Sequence, residues 1–128
     1  MTVIRKNPAN VAPPIGSYTH LSIVPRESEL LVLSGQVGID TDGNIPSSVE
    51  EQVRNALHNI VLILESEGVT VEDVIKINFW LTENLERETF VELWSEFHGG
   101  KPPATTIAYV SSLVRPELKV EIEAWAAR

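Results

Sequence analysis

The chain has 128 residues, 43% of them hydrophobic and 22% charged, and its 18 acidic against 10 basic side chains leave a net charge of -8. That composition fits one compact domain, residues 1–128, and a surface so acidic, with basic residues scattered singly apart from Arg5-Lys6, repels the phosphates of a nucleic acid. With no cysteine, no signal-peptide core at the start and no apolar run longer than Ile60 to Leu64, disulfides, zinc-thiolate sites and membrane spans are excluded and a cytoplasmic location is expected.

A first strand is expected at Thr2 to Lys6, followed by a proline-rich loop from Asn7 to Gly16. Two apolar segments, Tyr18 to Val24 and Glu29 to Val37, flank Pro25-Arg26-Glu27-Ser28 and read as strand, turn, strand. In Leu30-Leu31-Val32-Leu33 both alternating faces are apolar, so this strand should be covered on both sides. Asp42-Gly43-Asn44 supplies a turn.

Ser47 and Ser48 each have a glutamate three residues on, so a helix cap is available in either register. Val53, Ala56, Leu57, Ile60, Val61 and Leu64 then repeat at helical spacing until Gly68. Thr70-Val71-Glu72-Asp73 caps a single turn before a strand from Ile75 to Leu81, with Ile75, Ile77, Phe79 and Leu81 on one face and Lys76, Asn78 and Trp80 on the other. A second helix, about Leu85 to Phe97, carries the stripe Phe90, Leu93, Trp94 and Phe97 and stops at Gly99-Gly100. Strands Ala104 to Val110 and Leu118 to Ala126 complete the chain.

The order, strands then helix, strand, helix and two strands, is that of a single two-layer α+β domain, a mixed sheet with both helices on one face. Its second face would carry Trp80, Ile107, Tyr109 and Trp125 beside Asn78, Glu121 and Glu123. Aromatic residues on an open face point to packing against copies of the same chain.

Chemistry-bearing patterns are sparse. Glu121 and Glu123 point to the same side of one strand, roughly 6.5 to 7 Å apart; such a pair can divide acid and base roles, though alternating glutamates also make an ordinary wetted strand. His20, His58 and His98 share no metal-ligand spacing, and no cofactor or metal is expected. Ser34-Gly35-Gln36 ends a buried strand at a glycine, which permits close backbone approach to a ligand.

Five segments carry a resemblance. Ala12-Pro13-Pro14-Ile15-Gly16-Ser17-Tyr18, Leu33-Ser34-Gly35-Gln36-Val37-Gly38, Asn55-Ala56-Leu57-His58-Asn59-Ile60, Pro103-Ala104 and Lys119-Val120-Glu121-Ile122-Glu123-Ala124 resemble, in order, the motifs of the Rid family (reactive intermediate deaminases, also called YjgF, perchloric-acid-soluble or L-PSP proteins). The resemblance implies a chorismate-mutase-like domain and a homotrimer whose three sheets form a central barrel, with small-molecule clefts between subunits. It also implies hydrolysis of enamines and imines to ketoacids and ammonia, with an arginine after the Pro-Ala pair gripping the substrate carboxylate and a glutamate in the last strand positioning water.

Here Pro103-Ala104 is followed by Thr105. Glu121 matches the catalytic glutamate, although the loop before it is one residue longer; Tyr18, Ser34 and Gly35 match substrate-binding positions, and Ile107 stands where a small or polar residue is common. Arg115 has no motif support as a replacement. Exchanging a bidentate guanidinium for one hydroxyl costs about 2 to 4 kcal/mol of carboxylate binding. The expectation is therefore a deaminase-like hydrolase of altered specificity, acting on a small neutral or cationic imine, enamine or related carbonyl compound. A non-catalytic binding or sensing trimer is the alternative, and endoribonuclease activity, a label the family carries, fits the acidic surface least.

Overall fold

A computed structural model describes residues 3–128. Strands β1 (Ile4–Lys6) and β2 (Leu21–Ile23) form an antiparallel ribbon. The main sheet contains β3 (Leu30–Val32), β4 (Gln36–Val37), β5 (Val74–Leu81), β6 (Ala104–Tyr109) and β7 (Val120–Ala127). Its order is β3-β7-β5-β6, with β4 also pairing β7; only β5 and β6 run parallel, so the sheet is mixed as expected. The expected first strand begins at Ile4, and its Thr2 lies outside the described residues.

Helix α1 (Val49–Ser66) starts where Ser48 Oγ accepts the Glu51 N–H at 3.3 Å, which selects one of the two cap registers. A 3₁₀ turn at Val71–Asp73 is closed by the reciprocal Thr70 and Asp73 bonds of a capping box. Helix α2 (Arg87–His98) has no side-chain cap at Glu86 and starts two residues later than expected; it ends at Gly99, whose φ of 63° is left-handed.

Both helices bury their apolar stripes on one sheet face. Val53, Ala56, Leu57, Ile60 and Leu64 of α1 and Leu93, Trp94 and Phe97 of α2 join Ile77, Phe79 and Leu81 of β5 and Val120, Ile122, Ala124 and Ala126 of β7 in one core. Each large side chain removed from water in this way contributes about 1.5–3 kcal/mol. Phe79 sits edge-on to Phe90 and Trp94, with ring centroids 5.4 and 5.2 Å away.

Three details differ from the sequence reading. The β5–β7 register shifts between Val74 and Lys76, so Val74 takes the core position and Ile75 packs with Val3 and Ala127 in a small separate cluster. The segment Glu29 to Val37 is two strands, because the partner of Val32 is Trp125 whereas that of Gln36 is Ile122: one extra residue is bulged out at Ser34-Gly35. Finally, only Leu31 and Leu33 of the doubly apolar strand reach the core; in the single chain Leu30 and Val32 are 54% and 62% exposed, so its second face is open.

Candidate functional site

The pairing register divides the site residues into two groups. Thr105 pairs with Ile77 and Ile107 with Phe79, and paired residues share a face, so both point to the helix side of the edge strand β6. Tyr109, which pairs with Leu81, lies there too. This corrects the expectation that Ile107 and Tyr109 share the open face with Trp80 and Trp125: Thr106 and Ala108 are the β6 residues level with Asn78 and Trp80, and Lys76 Nζ donates to Thr106 Oγ1 across that face at 2.8 Å.

Tyr18 belongs with the β6 group. The buried Thr19 donates its backbone N–H to the Pro103 carbonyl at 3.2 Å and its hydroxyl to Pro102, so residues 18–19 lie directly against the start of β6. Thr105 Oγ1 donates to that same Pro103 carbonyl at 2.8 Å. The Tyr18 hydroxyl accepts the Ile15 N–H at 3.2 Å and keeps its own proton for another partner. At the neighbouring residue, Trp94 Nε1 donates to Ser17 O at 2.7 Å and ties this loop to α2.

Ser34, Gly35 and Glu121 form the second group. Glu121 pairs with Trp80 and Val37 on the open face. Its carboxylate lies over Gly35 so closely that a Cβ there would stand 2.0 Å from Oε2 and 2.7 Å from Cδ. Gly35 is therefore needed for the approach of Glu121 itself, besides any ligand. Glu123, two residues on, accepts from Asn78 Nδ2 at 3.1 Å. The two carboxylates thus differ in surroundings: one is held by an amide, the other leans on bare backbone.

Within one chain Thr105 and Glu121 do not meet. Thr105 is level with Ile77, three residues along β5 from the Trp80 that is level with Glu121, and β5 lies between them. Strand geometry puts their Cα atoms roughly 14 Å apart, with side chains on opposite faces. A concavity of about 610 Å³ in the helix layer, bounded by His58, Glu65, Leu93, Glu96 and Phe97, contains neither group.

Three amides brace the second group: Asn55 and Asn59, which the sequence offers within a family segment but with no role, and Gln52, which it did not single out. Gln52, fully buried in α1, donates to Pro46 O at 2.8 Å and Glu117 O at 2.9 Å and accepts the Lys119 N–H at 2.8 Å. Asn55 donates to Gly38 O at 3.2 Å, and Asn59 donates to Val37 O at 3.4 Å and Ile39 O at 2.8 Å. They fix the segment after the Ser34-Gly35 bulge and the approach to Glu121. Their signal was amides at i, i+3 and i+7 beside the apolar stripe.

Arg115 does not stand in for an arginine on β6, since its guanidinium makes a forked bond to Glu117 at 3.0 and 2.7 Å. Among the described residues no cluster of three or more His, Asp or Glu can hold a metal, and no helix is long and apolar enough to cross a membrane.

A family model described as Endoribonuclease L-PSP matches residues 9–128, from the proline-rich loop through Glu121 to the last residue. The chain belongs to the Rid family. As a Rid protein it is 33% identical over 119 residues to a RutC family protein of Pyrococcus horikoshii, covering 91% of each chain. It is 31% identical over 131 residues to the 2-iminobutanoate/2-iminopropanoate deaminase of Mus musculus, covering 99% of this chain and 94% of that protein. The crystal structure of YyfB, a Rid protein of Yersinia pestis, superposes with a TM-score of 0.85 over 100% of both chains; at 24% identity this likeness speaks for the fold.

Proposed function

We propose that this Rid protein is a homotrimer with small-molecule clefts between subunits, and that each cleft hydrolyses small imines, enamines or related carbonyl compounds. The reading is supported above all by the division of the site: Thr105 and Ile107 lie on the helix side of the sheet, with Tyr18 beside the start of their strand, and Glu121 lies on the other side against Gly35, so a complete cleft calls for a second copy. The mouse relative, named for its action on 2-iminobutanoate and 2-iminopropanoate, supports the reaction class.

In this reading Glu121 holds a water and takes its proton as the oxygen attacks the C=N carbon. It then returns that proton to the nitrogen to give the carbinolamine, next carries the hydroxyl proton from oxygen to nitrogen, and the C–N bond breaks as the C=O bond forms, releasing ammonia or an amine and leaving a carbonyl product. Thr105 gives the cleft no guanidinium, so imines derived from amino acids, with their free carboxylate, are poor substrates.

The test is ammonia release from small imines generated in solution, with and without a carboxylate. Turnover of the uncharged imines that disappears in Glu121→Gln supports the proposal, as does carboxylate-substrate turnover gained by Thr105→Arg. Efficient wild-type turnover of 2-iminopropanoate would overturn the account of Thr105. A ligand-induced rise in melting temperature with no turnover of any imine would replace catalysis by binding or sensing.

A further inference from the structure

Resting on that cleft, we infer that the Thr105 side of β6 selects ligands presenting an N–H donor, an amidinium, iminium or amide nitrogen, and rejects carboxylates of the same shape. A threonine hydroxyl has one hydrogen and two lone pairs. At Thr105 the hydrogen is given to the Pro103 carbonyl at 2.8 Å, so what the side chain offers a ligand is an acceptor. Pro103 is fully buried and its carbonyl also takes the Thr19 N–H at 3.2 Å, an anchored acceptor that holds the hydroxyl proton in place.

No side chain next to Thr105 on its strand supplies a cation. The Ile107 side chain, next on the same side and 45% exposed, offers only hydrocarbon. The nearby cations are engaged elsewhere: Lys76 with Thr106 on the opposite face, Lys101 with Glu72 at 3.2 Å, and Arg5 with the carbonyls of Val71, Glu72, Val74 and Lys101. A carboxylate placed against Thr105 meets the hydroxyl's lone pairs with no counter-ion, and only the neutral Tyr18 hydroxyl as a donor side chain. An amidinium or amide of the same shape meets an acceptor, and in the assembled cleft also the Glu121 carboxylate of the second copy.

Propionate, propionamide and propionamidinium share one shape and differ in donors and charge. Binding of each to the full-length protein is read from amide chemical shifts at Thr105, Thr106 and Ile107. Propionamidinium is expected to bind on the order of tenfold tighter than propionate, with propionamide between. Thr105→Val, which keeps the shape and net charge but removes the acceptor, should bring the three together; Thr105→Ser should keep the order, and Thr105→Arg should invert it. Equal or tighter wild-type binding of propionate overturns the inference, as does a preference that survives in Thr105→Val, which would be a general pull of the acidic protein on a cation. If Thr105→Arg takes propionate while the wild type shows no preference, the inference fails and the cleft stands. If no variant shows shifts on β6 with any ligand, the cleft itself is wrong.

Discussion

Two glycines separate positioning from stability at the scale of single residues. The three atoms nearest to a Cβ on Gly35 all belong to the Glu121 side chain, whose end can swing aside, whereas a Cβ on Gly38 would stand 2.5 Å from the Gln52 Cα, part of the α1 backbone. Gly38→Ala must push the helix off the sheet and should lose roughly 2–3 kcal/mol in urea unfolding. Gly35→Ala should lose about 1 kcal/mol or less, yet cost on the order of tenfold in turnover, because the displaced carboxylate no longer holds water in reactive geometry. The opposite pattern, a stable Gly38→Ala or a fully active Gly35→Ala, would contradict these contacts. Neither glycine has a positive φ. Both are there for closeness, and composition alone does not distinguish closeness from a turn.

Elements meet at a titratable junction where β1, the 3₁₀ turn and the end of α2 come together. His98 is 7% exposed; its Nδ1 accepts the Gly100 N–H at 3.0 Å, and its buried Nε2 has no partner among the described residues. Burial, and then the Arg5 cation, lower its pKa below the ordinary 6.5, while Glu72 and Asp73 face Arg5 from the turn. The folded protein resists a proton that the unfolded chain accepts at about 6.5, so this contribution is intact above that pH and is lost as the pH falls below it. The melting temperature should drop by a few degrees between about pH 7 and 5.5, and His98→Gln should flatten the decline. Equal slopes would remove His98 from the account.

That junction also shows what the sequence reveals. The apolar stripes of both helices, the Gly68 and Gly99 stops and the Thr70 cap were legible, because each depends on residues within a few positions. The turn over of Ile75 and the facing of Ile107 were not. Alternation places Ile75 with Ile77, but a register shift against β7, some fifty residues away, decides otherwise. Likewise the side taken by Thr105 and Ile107 follows from which β5 residues they pair with, and nothing within β6 states it. Thr105 and Glu121 could be singled out one by one. Their separation by a strand and a sheet face required the fold.

At the scale of the whole molecule, the open face presents Leu30, Val32 and Trp125 to solvent in the single chain, around the Asn78–Glu123 and Lys76–Thr106 bonds. If this face meets other copies, light scattering of the wild type should give three chain masses at micromolar concentration. Val32→Lys, close to neutral in a monomer because the site is 62% exposed there, should lower that mass or cause aggregation by burying an unpaired charge. A wild-type monomer, or an unaltered Val32→Lys trimer, would rule out this face as the seam.

The position of β7 has a consequence for biogenesis. This strand pairs with β3, β4 and β5, so it is the middle of the sheet, yet it follows every other element along the chain. A ribosome releases the two helices and all the outer strands before the strand that joins them. Until then β3 and β5 have bare edges where β7 will insert, and the helices have only part of their floor. Closure comes after every other element has been made and is long-range, with Leu30 meeting Ala127. In that interval the nascent chain is open to capture by chaperones or by the edges of its neighbours on the same message.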